Sequence, residues 1–210
     1  MAKLDYGLLG MFSGSVGDVV GVIRNGKQIV RSKPKKSTKE PSPAQISQRE
    51  KWKLVSSFLT PLKPWFNKYY GEKEKGKTPM NLAMSYHLKE ATVRIEEQWG
   101  IDFSKVIIAK GILHHVIIAK VNLTKSKLSI HWKKATTNSP LAKPSDTLTL
   151  VVYSISTNSF QVFENIATRE TQKAIIKLST THQEQDNAIW LFVVNQENNK
   201  WSSSTYLGIV

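Results

Sequence analysis

The chain has no cysteine. That excludes disulfides, a thiolate nucleophile and cysteine-ligated zinc, and it leaves the redox compartment open. No apolar run approaches the ~18 residues of a membrane span. The opening Met-Ala-Lys-Leu-Asp puts Asp5 where a secretion signal carries positive charge. Gly7–Phe12 is shorter than the ~7–15-residue apolar stretch such a signal needs, so none is expected. The expected location is the cytoplasm or an assembled particle, with no membrane partner. Acid is scarce: 16 Asp and Glu stand against 30 Lys and Arg, a net charge of +14. Such an excess concerns partners more than fold, and points to nucleic acid, an anionic surface or an acidic protein. The rest of the composition is ordinary, with 40% hydrophobic residues, which excludes collagen-like and wholly disordered chains. At 210 residues there is enough chain for one large domain or two small ones.

Six of the eleven glycines fall within Gly7–Gly26. The first five are spaced as one face of a helix, but five glycines cost a helix ~4–5 kcal/mol relative to alanine. A hairpin fits better. Val19–Arg24 and Lys27–Ser32 are short β-branched runs, and Asn25-Gly26 between them suits a type I′ turn, which needs positive φ at both positions. A two-residue loop places Arg24 opposite Lys27, Val22 opposite Ile29 and Val20 opposite Arg31. Strand alternation then gathers Arg24, Lys27 and Arg31 on one face, and Val19, Ile23 and Val30 on the other. From Arg24 to Lys39 there are seven basic residues and no acid. Lys33–Pro43, rich in proline, lysine and serine, reads as an extended arm.

A helix follows. Ser42 is its N-cap, Pro43 its first residue, and Gln45 completes a capping box. Val55, Phe58, Leu59, Leu62, Trp65, Phe66 and Tyr69 recur at helical spacing, and Pro61 and Pro64 predict a kink near Thr60. Thr78-Pro79 opens another helix to about Ala91. After Gly100, short β-branched runs alternate with turn clusters: Phe103–Ile108, Ile112–Leu123, Lys127–Lys133, Thr147–Ile155, Phe160–Asn165, Ala174–Leu178, Ile189–Asn195 and Thr205–Val210. That pattern predicts an antiparallel β-sandwich with Trp132, Val152, Ile175, Leu191 and Val193 buried. The Val-Ile-Ile-Ala-Lys of Val106–Lys110 and Val116–Lys120 reads as two similar strands. The expected fold class is α+β: a glycine-rich segment, basic hairpin and arm over 1–43, a helical middle over 44–100, and a β-sandwich over 101–210.

Gly7–Pro34 (GLLGMFSGSVGDVVGVIRNGKQIVRSKP), Pro43–Arg49 (PAQISQR) and Leu82–Glu90 (LAMSYHLKE) resemble a family of Bacteroidota proteins of about this length that carry a domain of unknown function. The resemblance runs over nearly the whole chain and implies no activity or site. That family's lysine after the serine-glycine pair is Ser15 here, so one basic residue of the arm is missing. Lys127–Lys133 (KLSIHWK) resembles the second strand of fibronectin type III modules, with Trp132 as the core tryptophan. This implies an immunoglobulin-like sandwich and no chemistry.

The residues with the clearest chemistry are Arg24, Lys27, Arg31, Lys33, Lys35, Lys36 and Lys39. Cationic side chains on a hairpin and flexible arm can neutralise phosphates without reading bases. The same charges could merely solvate a hairpin edge. Trp52, Trp65, Phe66, Tyr69 and Tyr70 lie among lysines and could stack bases. Their helical spacing instead marks a core face, with Trp52 set among charges. His87, His114, His115, His131 and His182 lack metal-ligand spacing. Glu96-Glu97 is the one adjacent carboxylate pair, no serine–histidine–aspartate order appears, and Gly7-x-x-Gly10 leads into no phosphate loop. No enzyme, metal or cofactor is expected. The expected function is a self-assembling structural protein, of the coat or filament kind. Its partners would be further copies of itself and the phosphate backbone of RNA or DNA. The competing expectation is a cytoplasmic adaptor whose sandwich binds a protein.

Overall fold

The protein is a mixed α/β chain of mostly antiparallel sheets with a short helical region. The computed structural model describes residues 3–4, 10–24, 26–35, 38–71, 76–124, 127–134, 139–179, 186–197 and 199–210, with the backbone alone at 3–4. The chain divides into two compact units, residues 1–46 and 47–210.

The first unit is an antiparallel sheet of β1 (Lys3–Leu4), β2 (Phe12–Val16), β3 (Val19–Arg24) and β4 (Lys27–Ser32), in that order. The β3–β4 register is the one the sequence predicts: Arg24 opposite Lys27, Val22 opposite Ile29, Val20 opposite Arg31. Asn25 of the predicted turn lies outside the described residues. The glycine-rich stretch supplies a further strand, β2, joined to β3 through Gly17, whose φ of +54° an L side chain tolerates poorly. Gly21 has a different role. A Cβ there would stand 2.6 Å from the Phe12 carbonyl oxygen and would strike the Phe12 ring, so only glycine lets that ring lie across β3.

The second unit takes in most of α1 (Pro43–Leu59), then α2 (Lys63–Tyr69) and α3 (Pro79–Glu90). The capping box forms as expected: the Ser42 N–H donates to Gln45 Oε1 at 3.2 Å and the Gln45 N–H to Ser42 Oγ at 3.4 Å. Pro61 breaks the helix into a single 3-10 turn at Thr60–Leu62, where the sequence predicts a kink. Thr78 caps α3, accepting from the Asn81 N–H at 3.3 Å, with Pro79 in the first turn.

After α3 the chain forms a hairpin of β5 (Thr92–Ile95) and β6 (Gln98–Ile101), which the sequence reading misses. Its turn is Glu96-Glu97, and Glu96 adopts φ +54° without glycine or asparagine to announce it. The next expected strand, Phe103–Ile108, is a 3-10 turn at Phe103–Lys105 followed by an unpaired stretch. Val106, Ile108 and Ala109 are buried, but no described strand lies alongside to complete a ladder. The backbone finds partners elsewhere: the Ile107 N–H donates to His87 Nε2, Ile108 to Ser204 Oγ and Lys110 to the Tyr69 carbonyl. Of the two Val-Ile-Ile-Ala-Lys copies, only the second enters a strand.

The remaining strands are β7 (Ile118–Thr124), β8 (Lys127–Trp132), β9 (Thr147–Ser154), β10 (Ser159–Phe163), β11 (Lys173–Lys177), β12 (Asn187–Asn195), β13 (Lys200–Trp201) and β14 (Thr205–Ile209). They form a three-stranded sheet β11-β8-β7 and a five-stranded sheet β10-β9-β12-β13, in which β14 also pairs with β12. One face of the larger sheet (Leu150, Val152, Ile189, Leu191) shares a core with Leu128, Ile130, Trp132, Ala174 and Ile176 of the smaller sheet. Its other face (Val151, Tyr153, Trp190, Phe192) shares a core with Phe58, Leu59, Leu62 and Phe66 of the helical region. The apolar runs of β9 and β12 are therefore continuous because both of their faces are covered. The expected helical region over 44–100 and β region over 101–210 contribute to this common core. Of the five residues expected inside, four are buried and Ile175 is 59% exposed. Its register partner Ser129 faces outward, and Ala174 and Ile176 take the core positions.

Candidate nucleic-acid interface

The β3–β4 pairing sets the geometry of the first unit's basic face. Cross-strand partners share a face, so Arg24, Lys27 and Arg31 lie together with Val20, Val22 and Ile29. Arg24, Lys27 and Arg31 are exposed, as are Lys33, Lys35 and Lys39 of the arm; Lys36 lies outside the described residues. Arg24 stands directly opposite Lys27, a like-charge pair that costs the hairpin stability unless an anion lies across it. The arm begins in a fixed position. The Lys33 N–H donates to the Asp18 carbonyl at 2.7 Å, tying the end of β4 to the β2–β3 turn. Beside that bond is a surface cleft of about 480 Å³ lined by Asp18, Ser32, Lys33, Pro34 and Lys35. Among its described lining residues Asp18 is the one carboxylate, against Lys33 and Lys35.

Val16, Val19, Val22, Ile23, Ile29 and Val30 of this sheet are exposed on both of its faces. Among the described residues of 1–46, Gly21 alone is buried.

The aromatic group resolves as the helical spacing implies. Phe66, Tyr69 and Tyr70 are buried, Trp65 is half-buried, and Trp52 is 52% exposed. Trp99 is held beside α1 by its Nε1–H, which donates to Ser47 Oγ at 2.9 Å, and Lys51 lies over its ring at 4.5 Å. His87 is interior. Nδ1 donates to the Ala83 carbonyl at 2.7 Å while Nε2 accepts from Ile107. Burial pushes its pKa down to about 4, with the Ala83 bond opposing, so the imidazole is neutral and structural. His182 lies outside the described residues, and among the described residues no three His, Asp or Glu converge as metal ligands. A cleft of about 450 Å³ in the second unit is lined by Gly71, Lys110, Gly111, Ile112, Asn199, Lys200 and Trp201. Its described lining has no carboxylate or imidazole to move a proton.

The sequence reading misses one charged group. Lys120, Lys127, Lys173 and Lys177 come from three strands and reach a common face only through the β7–β8–β11 register. The available signal is the polar–apolar alternation of Lys127–Trp132 and the two lysines, Lys173 and Lys177, that bracket Ala174–Ile176.

Among the described residues no helix is long and apolar enough to cross a membrane. The fold and the basic face define a strongly cationic, mixed α/β protein built on antiparallel sheets. The chain belongs to a family of unknown function, DUF6266, whose pattern it matches over residues 11–208. None of the curated proteins compared with the chain matches it.

Proposed function

We propose that the chain is a self-assembling structural protein, of the coat or filament kind, that holds nucleic acid non-specifically through the β3–β4 hairpin and the arm after it. The observation that carries the reading is the hairpin register, which gathers Arg24, Lys27 and Arg31 on one exposed face immediately before Lys33, Lys35 and Lys39. Lys36 belongs to the same run by sequence. Self-assembly is supported by the bareness of the first sheet. In β2, β3 and β4 most apolar side chains (Val16, Val19, Val22, Ile23, Ile29 and Val30) stay exposed, on both faces, and these strands have little burial to offset the entropy of ordering them. Contact with neighbouring copies would supply it. We also read the two sheets of the second unit as a β-sandwich of the fibronectin and immunoglobulin kind. Their antiparallel pairing and the placement of Trp132 in the shared core favour this, and it would serve as the rigid body of the assembly.

The test is a salt titration of binding to duplexes of unrelated sequence. Three or four phosphate contacts from the hairpin and arm should contribute roughly −3 to −4 to the log–log slope. Replacing Arg24, Lys27 and Arg31 by Gln should flatten it by ~2–3 and weaken all sequences alike, because phosphates carry no base information. A slope that the triple change leaves untouched would reject the hairpin as a phosphate clamp. No binding at all would favour the protein-binding adaptor.

A further inference from the structure

The outer face of the three-stranded sheet carries a second charge pattern, in the other unit of the chain. One cross-strand row is Lys120–His131–Lys173. Another contains Lys127 and Lys177, directly opposite each other. The row between them is Asn122–Ser129–Ile175 and is uncharged. All four lysines are exposed. The strands β7, β8 and β11 contain no Asp or Glu. The ion pairs of the described residues, at Lys68–Glu164, Lys105–Asp102, Lys143–Glu197 and Arg169–Asp146, involve none of the four.

This pattern is not what a solvated sheet face needs. Like charges directly opposite each other destabilise a ladder. Lysine that protects a sheet from pairing belongs on edge strands, which suits Lys120 on β7 and Lys173 and Lys177 on β11 but not Lys127, which is on the central strand β8 and faces Lys177. An extended anion lying across the face would turn this repulsion into attraction.

We propose that this face is a second nucleic-acid site, which seats the phosphate backbones of a duplex. At ~3.3 Å per residue the two lysine rows are about 13 Å apart. That is close to the ~12 Å width of a duplex major groove, so each row can reach one backbone. Single strands are bound chiefly by stacking on aromatic rings, and the face has none but the half-buried His131. Charge alone draws lysines to an anionic membrane by only ~1 kcal/mol each, and among these three rows Ile175 is the one exposed apolar residue that could insert. Protein interfaces are depleted in lysine. The site stands whether or not the β3–β4 hairpin binds.

The test uses the full chain and two sets of substitutions: Lys120, Lys127, Lys173 and Lys177 to Gln, and separately Arg24, Lys27 and Arg31 to Gln. The probes are a labelled duplex of mixed sequence, one of its single strands, and phosphatidylserine–phosphatidylcholine vesicles. The fourfold change should flatten the duplex salt slope by ~3–4, also in the background of the hairpin substitutions. Its melting temperature should hold or rise, since the Lys127–Lys177 repulsion is relieved. If the fourfold variant does not fold, Lys127→Gln with Lys177→Gln should remove ~2 from the slope. An unchanged duplex slope overturns the proposal, even if the hairpin substitutions do flatten it. Loss confined to the single strand or to the vesicles overturns it as well.

Discussion

Asp146 and Arg169 form a buried ion pair whose surroundings supply further hydrogen bonds. Arg169 Nη2 donates to Asp146 Oδ2 at 3.3 Å and to the His114 carbonyl at 2.7 Å. Asn195 Nδ2 donates to Asp146 Oδ1 at 2.7 Å, and the Trp132 indole N–H donates to the Arg169 carbonyl at 2.8 Å. Removing one charge leaves the other buried without its partner. Arg169→Met should therefore cost about 3–5 kcal/mol, read as a lower urea midpoint at unchanged m-value. A loss well under 1 kcal/mol would mean that Asp146 is satisfied without Arg169. His87 makes a second prediction. Its folded pKa is lowered from the ordinary 6.5 to about 4, so the unfolded chain takes up a proton first as pH falls. Stability is thus full above pH 6.5 and declines from there toward pH 4, by up to about 3 kcal/mol. His87→Leu should be less stable at neutral pH but should lose this part of the acid slope. A wild-type melting temperature that is flat across the window would contradict the neutral, buried imidazole. At this scale the sequence was informative about Trp132 and misleading about Ile175. Strand alternation from Lys173 and Lys177 puts Ile175 outward, a signal that the apolar trio Ala174–Ile176 obscures.

Elements with a local chemical signal were legible: the β3–β4 hairpin from Asn25-Gly26, α1 from Ser42 and Gln45, α3 from Thr78-Pro79. Elements set by distant neighbours were not. β2 is rich in serine and glycine and becomes a strand by pairing with β3; β5–β6 turns on two glutamates. Val106–Ala109 looks like a strand, but its backbone bonds to His87 and Ser204 in place of a neighbouring strand. The candidate hairpin site was readable because its residues are close in sequence. The lysine face of β7, β8 and β11 was not, because its members are up to 57 positions apart. One test belongs to the first sheet. Gly21→Val forces a branched side chain into the Phe12 ring and carbonyl. It should abolish amide protection across β2 and β3 while residues 47–210, which have their own core, keep their melting transition. Retained protection in β2 would show that Phe12 can move aside.

The whole molecule combines a net charge of +14 with a first unit whose described residues bury almost nothing and a second unit with a core on each face of its larger sheet. Charge of one sign opposes association of copies with one another until an anion neutralises it. Assembly and nucleic-acid binding should accordingly be coupled, and both should weaken as salt rises. Deleting residues 1–17 removes β1 and β2 and leaves the second unit's core intact, so the truncated chain should stay folded and lose its higher oligomers. The most direct measurement is light scattering of the purified full chain, recorded together with its nucleic-acid content. The account predicts a particle of many copies that carries nucleic acid and falls apart after nuclease treatment or in high salt. A monomer free of nucleic acid, unchanged when duplex is added at ~150 mM salt, where the Debye length is ~8 Å, would contradict it.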